Sequence, residues 1–129
     1  MGPGNIDVVR DLIDDLNEGR VDELIGRIDL DFEWTPLEHS PVARPYRGRE
    51  QVRGYVEDWL ATFDSLHLEL EELREVGERV IASVHGHGRG RLSGIELHNS
   101  FCQVWMFRSG TPTCMREYRD LDQALASLH

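Results

Sequence analysis

The sequence contains no lysine: all 14 of its basic residues are arginine. Schiff-base catalysis, lysine-anchored pyridoxal phosphate and a lysine-bearing phosphate loop are thereby excluded. Cysteine is nearly absent too. Cys102 and Cys114 form neither a disulfide framework nor a CxxC motif. No apolar run approaches the ~20 residues that span a bilayer. The opening MGPGNIDVVRD has neither the basic nor the apolar region of a signal peptide. A cytoplasmic location with no membrane partner is the expectation. Positive charge is the minority sign: 14 Arg against 24 Asp and Glu leave a formal −10, so no nucleic-acid partner is expected. Repeats, low-complexity tracts and long linkers are missing as well. What remains is 129 residues, 40% hydrophobic and 29% charged, enough for the core of a single domain spanning 1–129.

Helical spacing comes first along the chain. Ile6, Val9, Leu12, Ile13 and Leu16 predict a helix over 5–17, stopped at Asn17-Glu18-Gly19. Val21, Leu24, Ile25 and Ile28 predict a second over about 20–28, followed by a short strand at Phe32-Glu33-Trp34. Pro36, Pro41 and Pro45 break 36–47 into an irregular loop, and Gly48 opens a third helix with Val52, Tyr55, Val56, Trp59, Leu60 and Phe63 on its apolar stripe. From residue 65 the period drops to two. Leu66, Leu68 and Leu70 alternate with polar residues, and the parity slips at Leu73, the mark of a β-bulge. Turns at Gly77-Glu78, Ser93-Gly94 and Ser109-Gly110 separate strands over 79–92, 95–108 and 111–119, and 120–128 closes as a helical turn. The order predicts an α+β fold with helices on one face of an antiparallel meander.

Two-residue turns at Ser93-Gly94 and Ser109-Gly110 set a register. Ala82 would oppose Trp105, and Gly86 and Gly88 would oppose Phe101 and Asn99. In the last hairpin Gln103 would oppose Arg116, Phe101 would oppose Tyr118, and Asn99 would oppose Asp120. All of these would share the concave face. Ile81, His85, His87, Val104, Met106, Met115, Glu117 and Cys102 would share the other, putting the two cysteines on opposite faces.

LNEG at the first helix end, FEWTP, YRGREQVRGYVEDW, ERV, VWMFRSG and REYRD, in that order, resemble the SnoaL-like branch of the nuclear transport factor 2-like superfamily. The resemblance implies a cone: a curved antiparallel sheet wrapped on three N-terminal helices, usually dimeric, around a hydrophobic pocket. Its relatives include polyketide cyclases, epoxide hydrolases, ketosteroid isomerases and non-catalytic binding proteins, so fold does not settle function. It also implies an acid in the final Tyr-x-Asp segment, matched by Tyr118-Arg119-Asp120, and a pocket tryptophan matched by Trp105. The Arg and Asp of the epoxide hydrolases fall on Gly86 and Gly88, and the isomerase base on Thr35, so those two constellations are broken.

On this reading Asp120 is the catalytic acid–base group, with Tyr118 and Arg116 holding a developing oxyanion. Helix capping is the alternative for Asp120. Trp34, Trp59, Phe63, Asn99, Phe101, Gln103 and Trp105 would line the substrate site. No cofactor and no metal are expected, His85, His87 and His98 reading as solvated or interface residues. The expected function is acid–base chemistry of cyclase, isomerase, dehydratase or hydrolase type on a hydrophobic, oxygenated small molecule. The alternative is a non-catalytic ligand-binding or dimerisation module. Glu33 or His39 would be the substitute acid if Asp120 were not it. The apolar residues on the outer sheet face predict a homodimer through that face.

Overall fold

Val9, Leu12, Ile13 and Leu16, spaced for one face of a helix, are the buried stripe of α1 (Asn5–Glu18) in the computed structural model, which describes residues 4–37 and 45–128. Gly19 ends α1 at φ 70°, a left-handed cap that costs glycine no steric strain. The helices α2 (Val21–Arg27) and α3 (Gly48–Ala61) follow the expected bounds closely and bury Leu24, Ile25, Val52 and Val56. The buried Asp15 is neutralised between Arg20 Nε at 3.1 Å and Arg27 Nε at 2.7 Å, which ties α1 to α2.

Six strands form one sheet in the order β2-β1-β6-β5-β4-β3. They are β1 (Glu33–Thr35), β2 (Tyr46–Arg47), β3 (Phe63–Val76), β4 (Arg79–Gly90), β5 (Glu96–Arg108) and β6 (Thr111–Tyr118). Most of the loop expected over 36–47, His39 included, lies outside the described residues. Asn17 anchors the helices to the sheet: its amide donates to Leu68 O at 2.9 Å and accepts from Leu68 N–H at 2.7 Å. The main core packs α1, α2 and α3 on the inner face, against Leu68, Val80, Ala82, Val84, Trp105, Phe107 and Met115. Among the described residues no helix is long and apolar enough to cross a membrane.

The slip at Leu73 is real. Leu70 pairs with Val84 and Glu72 with Ser83, leaving Glu71 as the bulge that returns Leu73 to the inner face. The Ser93-Gly94 turn is longer than expected, because Gly90 N–H bonds Ile95 O and four residues, 91–94, lie between that pair. Gly86 therefore opposes Asn99 and Gly88 opposes Leu97, a shift of two residues that moves no side chain to the other face. Gly88 leaves no empty space, since a Cβ there would lie 2.6 Å from Ser65 O and 3.2 Å from the Phe63 ring. The strands approach too closely for any other residue.

The last hairpin corrects the register by one. Ser109 and Gly110 have φ of 51° and 81°, the paired positive values of a type I′ turn, and Arg108 opposes Thr111 as expected. Phe107 then opposes Pro112 but Met106 opposes Cys114, so Thr113 is an extra residue. Pro112 has no N–H for the ladder, and Thr113 Oγ1 instead donates to Met106 O at 3.3 Å. One extra residue reverses the rest of β6. Met115 and Glu117 face inward, while Cys114, Arg116 and Tyr118 face outward beside Met106, Val104 and Cys102. Both cysteines thus lie on the outer face, free, and four residues apart in register, roughly 13 Å along a strand and too far for a disulfide.

The outer face is not left bare. A last helix, α4 (Leu121–Ala126), folds onto it, and Ala124, Leu121, Leu125 and Leu128 cover Ile81, Cys102 and Val104. With Met115 turned inward, the apolar surface that motivated a homodimer through this face is largely consumed within the chain.

Candidate functional site

β1 accompanies β6 only as far as the Thr35–Arg116 pair. Pro36 follows and cannot extend the ladder. Past that point β6 has no strand partner on this side among the described residues, and an open groove of about 860 Å³ lies there between β1, β6 and α4. Its wall includes Thr35, Leu37, Arg116, Glu117, Tyr118, Arg119 and Gln123. The hollow is open and borders a carboxylate.

That carboxylate is Glu117. Its Oε1 accepts the Leu37 backbone N–H at 2.9 Å. Gln103 is fully buried, and its amide oxygen accepts Trp105 Nε1–H at 3.0 Å. An indole N–H can only donate, so the Gln103 amide nitrogen is left to donate to Glu117. The chain Trp105–Gln103–Glu117 therefore has one consistent direction. Burial pushes the Glu117 carboxyl above the usual glutamate range, and the Leu37 N–H and the Gln103 amide pull it part of the way back. A carboxyl held in this way can keep its proton at a pH where surface carboxylates have lost theirs.

Tyr55 of α3 feels the charge of the same carboxylate. Burial first, then Glu117 and Tyr46, push its hydroxyl well above the ordinary tyrosine range, so it remains a donor. Tyr46 of β2 packs on it with ring centroids 4.4 Å apart, and Trp34 lies 6.0 Å from it. Trp34 stands edge-on to Trp105 at 5.9 Å, and its buried indole N–H has no acceptor among the described residues. The aromatic wall behind Glu117 is thus Tyr46, Tyr55, Trp34 and Trp105.

The bulge at Thr113 decides where the expected site residues lie. Asp120 is not on the concave face. It is the exposed N-cap of α4, its Oδ1 accepting Gln123 N–H at 2.9 Å. Tyr118 opposes Cys102 and packs with α4, with the Arg116 guanidinium 5.6 Å from its ring centroid. Both are outer-face residues that nevertheless line the groove at the sheet edge. Trp34, Gln103 and Trp105 come together, but as buried core residues, 2%, 1% and 0% exposed, that line neither groove, so they are not the ligand-contacting wall the sequence suggests. Trp59 and Phe63 form a separate edge-to-face pair at 5.7 Å, and Trp59 borders a second groove with Tyr46, Gln51 and Tyr55. Phe101 is half-buried against the main core, and Asn99 is exposed on the far part of β5. Glu33 faces outward and pairs with Arg47 at 3.2 Å. Glu117, Tyr55 and Tyr46 were not foreseen as site residues; the signal that could have found Glu117 is Pro112, a non-donor inside a strand.

Replacing the cap tests this placement. Asp120→Ala should cost about 1 kcal/mol of stability, the usual value of a lost N-cap. Fraying of α4 should speed the reaction of Cys102 with a thiol reagent. Any turnover should survive, and its loss would return Asp120 to the chemistry.

A family model for the SnoaL-like domain matches residues 9–113, ending just short of Glu117. No functionally curated protein matches the sequence. Among solved structures, the fold is similar to an NTF2-like protein of unknown function from Burkholderia pseudomallei K96243, at 16% identity, 97% coverage of both chains and a TM-score of 0.80. It is similar to TerC co-crystallised with polyporic acid, at 19% identity, 96% coverage of both chains and a TM-score of 0.78. A candidate SnoaL-like polyketide cyclase from Jannaschia sp. CCS1 matches at 17% identity over 95% of this chain and 89% of that one, with a TM-score of 0.80. At such identities the likeness is one of fold.

Proposed function

The chain belongs to the SnoaL-like family, and from that premise we propose that it binds a hydrophobic, oxygenated small molecule at the groove and performs acid–base chemistry on it. Glu117 is the group that moves the proton, taking the role first expected of Asp120. The observation that carries the reading is a largely enclosed carboxyl with a raised pKa, held by Leu37 N–H and Gln103 at the border of an open groove. Tyr118 and Arg116, which line the groove, are the donors for a developing oxyanion. Trp34 and Trp105 supply the apolar backing. Cyclisation, isomerisation, dehydration and hydrolysis all need such a proton transfer and no cofactor. A protein of similar fold, TerC, was co-crystallised with a small molecule, polyporic acid, which supports small-molecule binding by this fold.

A second reading, a binding module without catalysis, is favoured by one observation: the aromatic wall is closely packed, with Trp105 0% and Trp34 2% exposed. Native mass spectrometry of protein purified from its source separates the two. A co-purifying small molecule that the protein converts on incubation supports the enzyme. A retained compound that is returned unchanged supports the module.

A further inference from the structure

The chain has six histidines, and four of them stand together on the outer face of the sheet, away from Glu117. His67, His87 and His98 form one row across β3, β4 and β5, since His67 opposes His87 and His87 opposes His98. His85 stands two residues from His87 on the same face, opposite Ser100. We propose that this patch is a transition-metal site whose ligands are the imidazoles of His85, His87 and His98, with His67 at its edge.

Spacing is the first argument. His85, His87 and His98 form a closed triangle, with ring centroids 5.9, 5.9 and 6.4 Å apart, and His67 lies 5.2 Å from His87. Imidazoles bound to one tetrahedral ion at about 2.0–2.1 Å have centroids about 5 Å apart, so the observed separations need only a small closure. As the side chains stand, no three donors among the described residues converge on one point. The rings are stacked side by side at 25–37° instead. His67, His87 and His98 are exposed, and exposed side chains change rotamer within nanoseconds.

The second argument is orientation. His85 Nδ1 is 2.9 Å from Ser100 Oγ, which leaves Nε2 free, the arrangement in which a partner at one ring nitrogen aims the other at a metal. The charges on this face are compatible with a cation. Glu69 opposes His85, and the nearby Arg89 faces Glu96 at 3.5 Å. Imidazole sets of this kind suit zinc, copper and nickel rather than magnesium or calcium.

Isothermal titration of untagged, chelator-treated protein with zinc chloride at pH 7.5 tests the site. One ion per chain should bind in the micromolar range or tighter. His87→Ala should weaken binding by about 100-fold, no less than the 10–100-fold usual for losing an outer-shell partner of a metal ligand. His85→Ala with His98→Ala should abolish it, while circular dichroism shows both variants folded. Zinc should also broaden or shift the imidazole proton resonances of these residues alone. Absence of binding below millimolar zinc overturns the proposal, as does binding that survives in the folded His87→Ala and double variants. Neither result bears on Glu117.

Discussion

Glu117→Gln should reduce turnover by about 10²–10⁴-fold, the usual contribution of a positioned acid or base. The amide oxygen of glutamine can still accept the Leu37 N–H that Oε1 accepts at 2.9 Å, so the variant keeps the shape of the site. Ligand affinity should therefore change by no more than a few fold, and kcat should carry the loss. The isosteric change at Asp120, Asp120→Asn, should leave kcat unaltered because that residue only caps α4. Steady-state kinetics of the two variants on the co-purifying compound provide the comparison. Full activity in Glu117→Gln would move the chemistry off this residue.

Trp105→Ala carries the largest expected stability loss. The indole is fully buried between Phe32 at 6.0 Å and Trp34 at 5.9 Å, and its N–H is the donor that orients Gln103. Truncating a buried aromatic residue to alanine commonly costs about 3–5 kcal/mol, a large share of the 5–15 kcal/mol that holds a domain folded. It would also strand the buried Gln103 amide oxygen without a donor. Urea unfolding should show a midpoint far below that of the parent, with the slope preserved. Trp105→Phe keeps most of the volume but still removes the donor. It should cost less stability and change the environment of Glu117 more specifically.

Much of the architecture was legible because it rests on periodicity and turn chemistry. The stripe Val9, Leu12, Ile13 and Leu16 can serve only a helix, and the shift from Leu70 to Leu73 can be reconciled with one core face only by a bulge. The Ser109-Gly110 turn was legible in the same way. The longer loop before Ile95 was missed at no cost, since a slip of two keeps every residue on its face. The bulge at Thr113 was missed at full cost. A slip of one exchanged Glu117 for Arg116 and Tyr118, and so moved the inward acid to the outside. Pro112 held that information, as a strand residue with no N–H. The docking of α4 was also written in the chain, in Leu121, Ala124, Leu125 and Leu128 at helical spacing. A helix of six residues gives a weak signal of which sheet face it will cover.

The raised carboxyl also has a consequence for stability. Because burial lifts the folded-state value of Glu117 above the unfolded one, the folded chain binds this proton more tightly. Its contribution is fully present below the unfolded value of about 4.3 and is lost as pH rises through the higher folded value. Glu117→Gln carries no such charge, so the variant should melt above the parent at neutral pH and lose that advantage in acid. A site that is less stable than its neutral isostere is the usual companion of function. The most direct measurement is a carbon-13 titration of the glutamate side-chain carboxyls, with Glu117 assigned by its absence in Glu117→Gln. One carboxyl resonance, that of Glu117, should titrate clearly above the ordinary glutamate midpoint and report the same midpoint in Asp120→Asn. A Glu117 midpoint at or below the ordinary value would contradict the assignment of this carboxyl as the proton-transferring group.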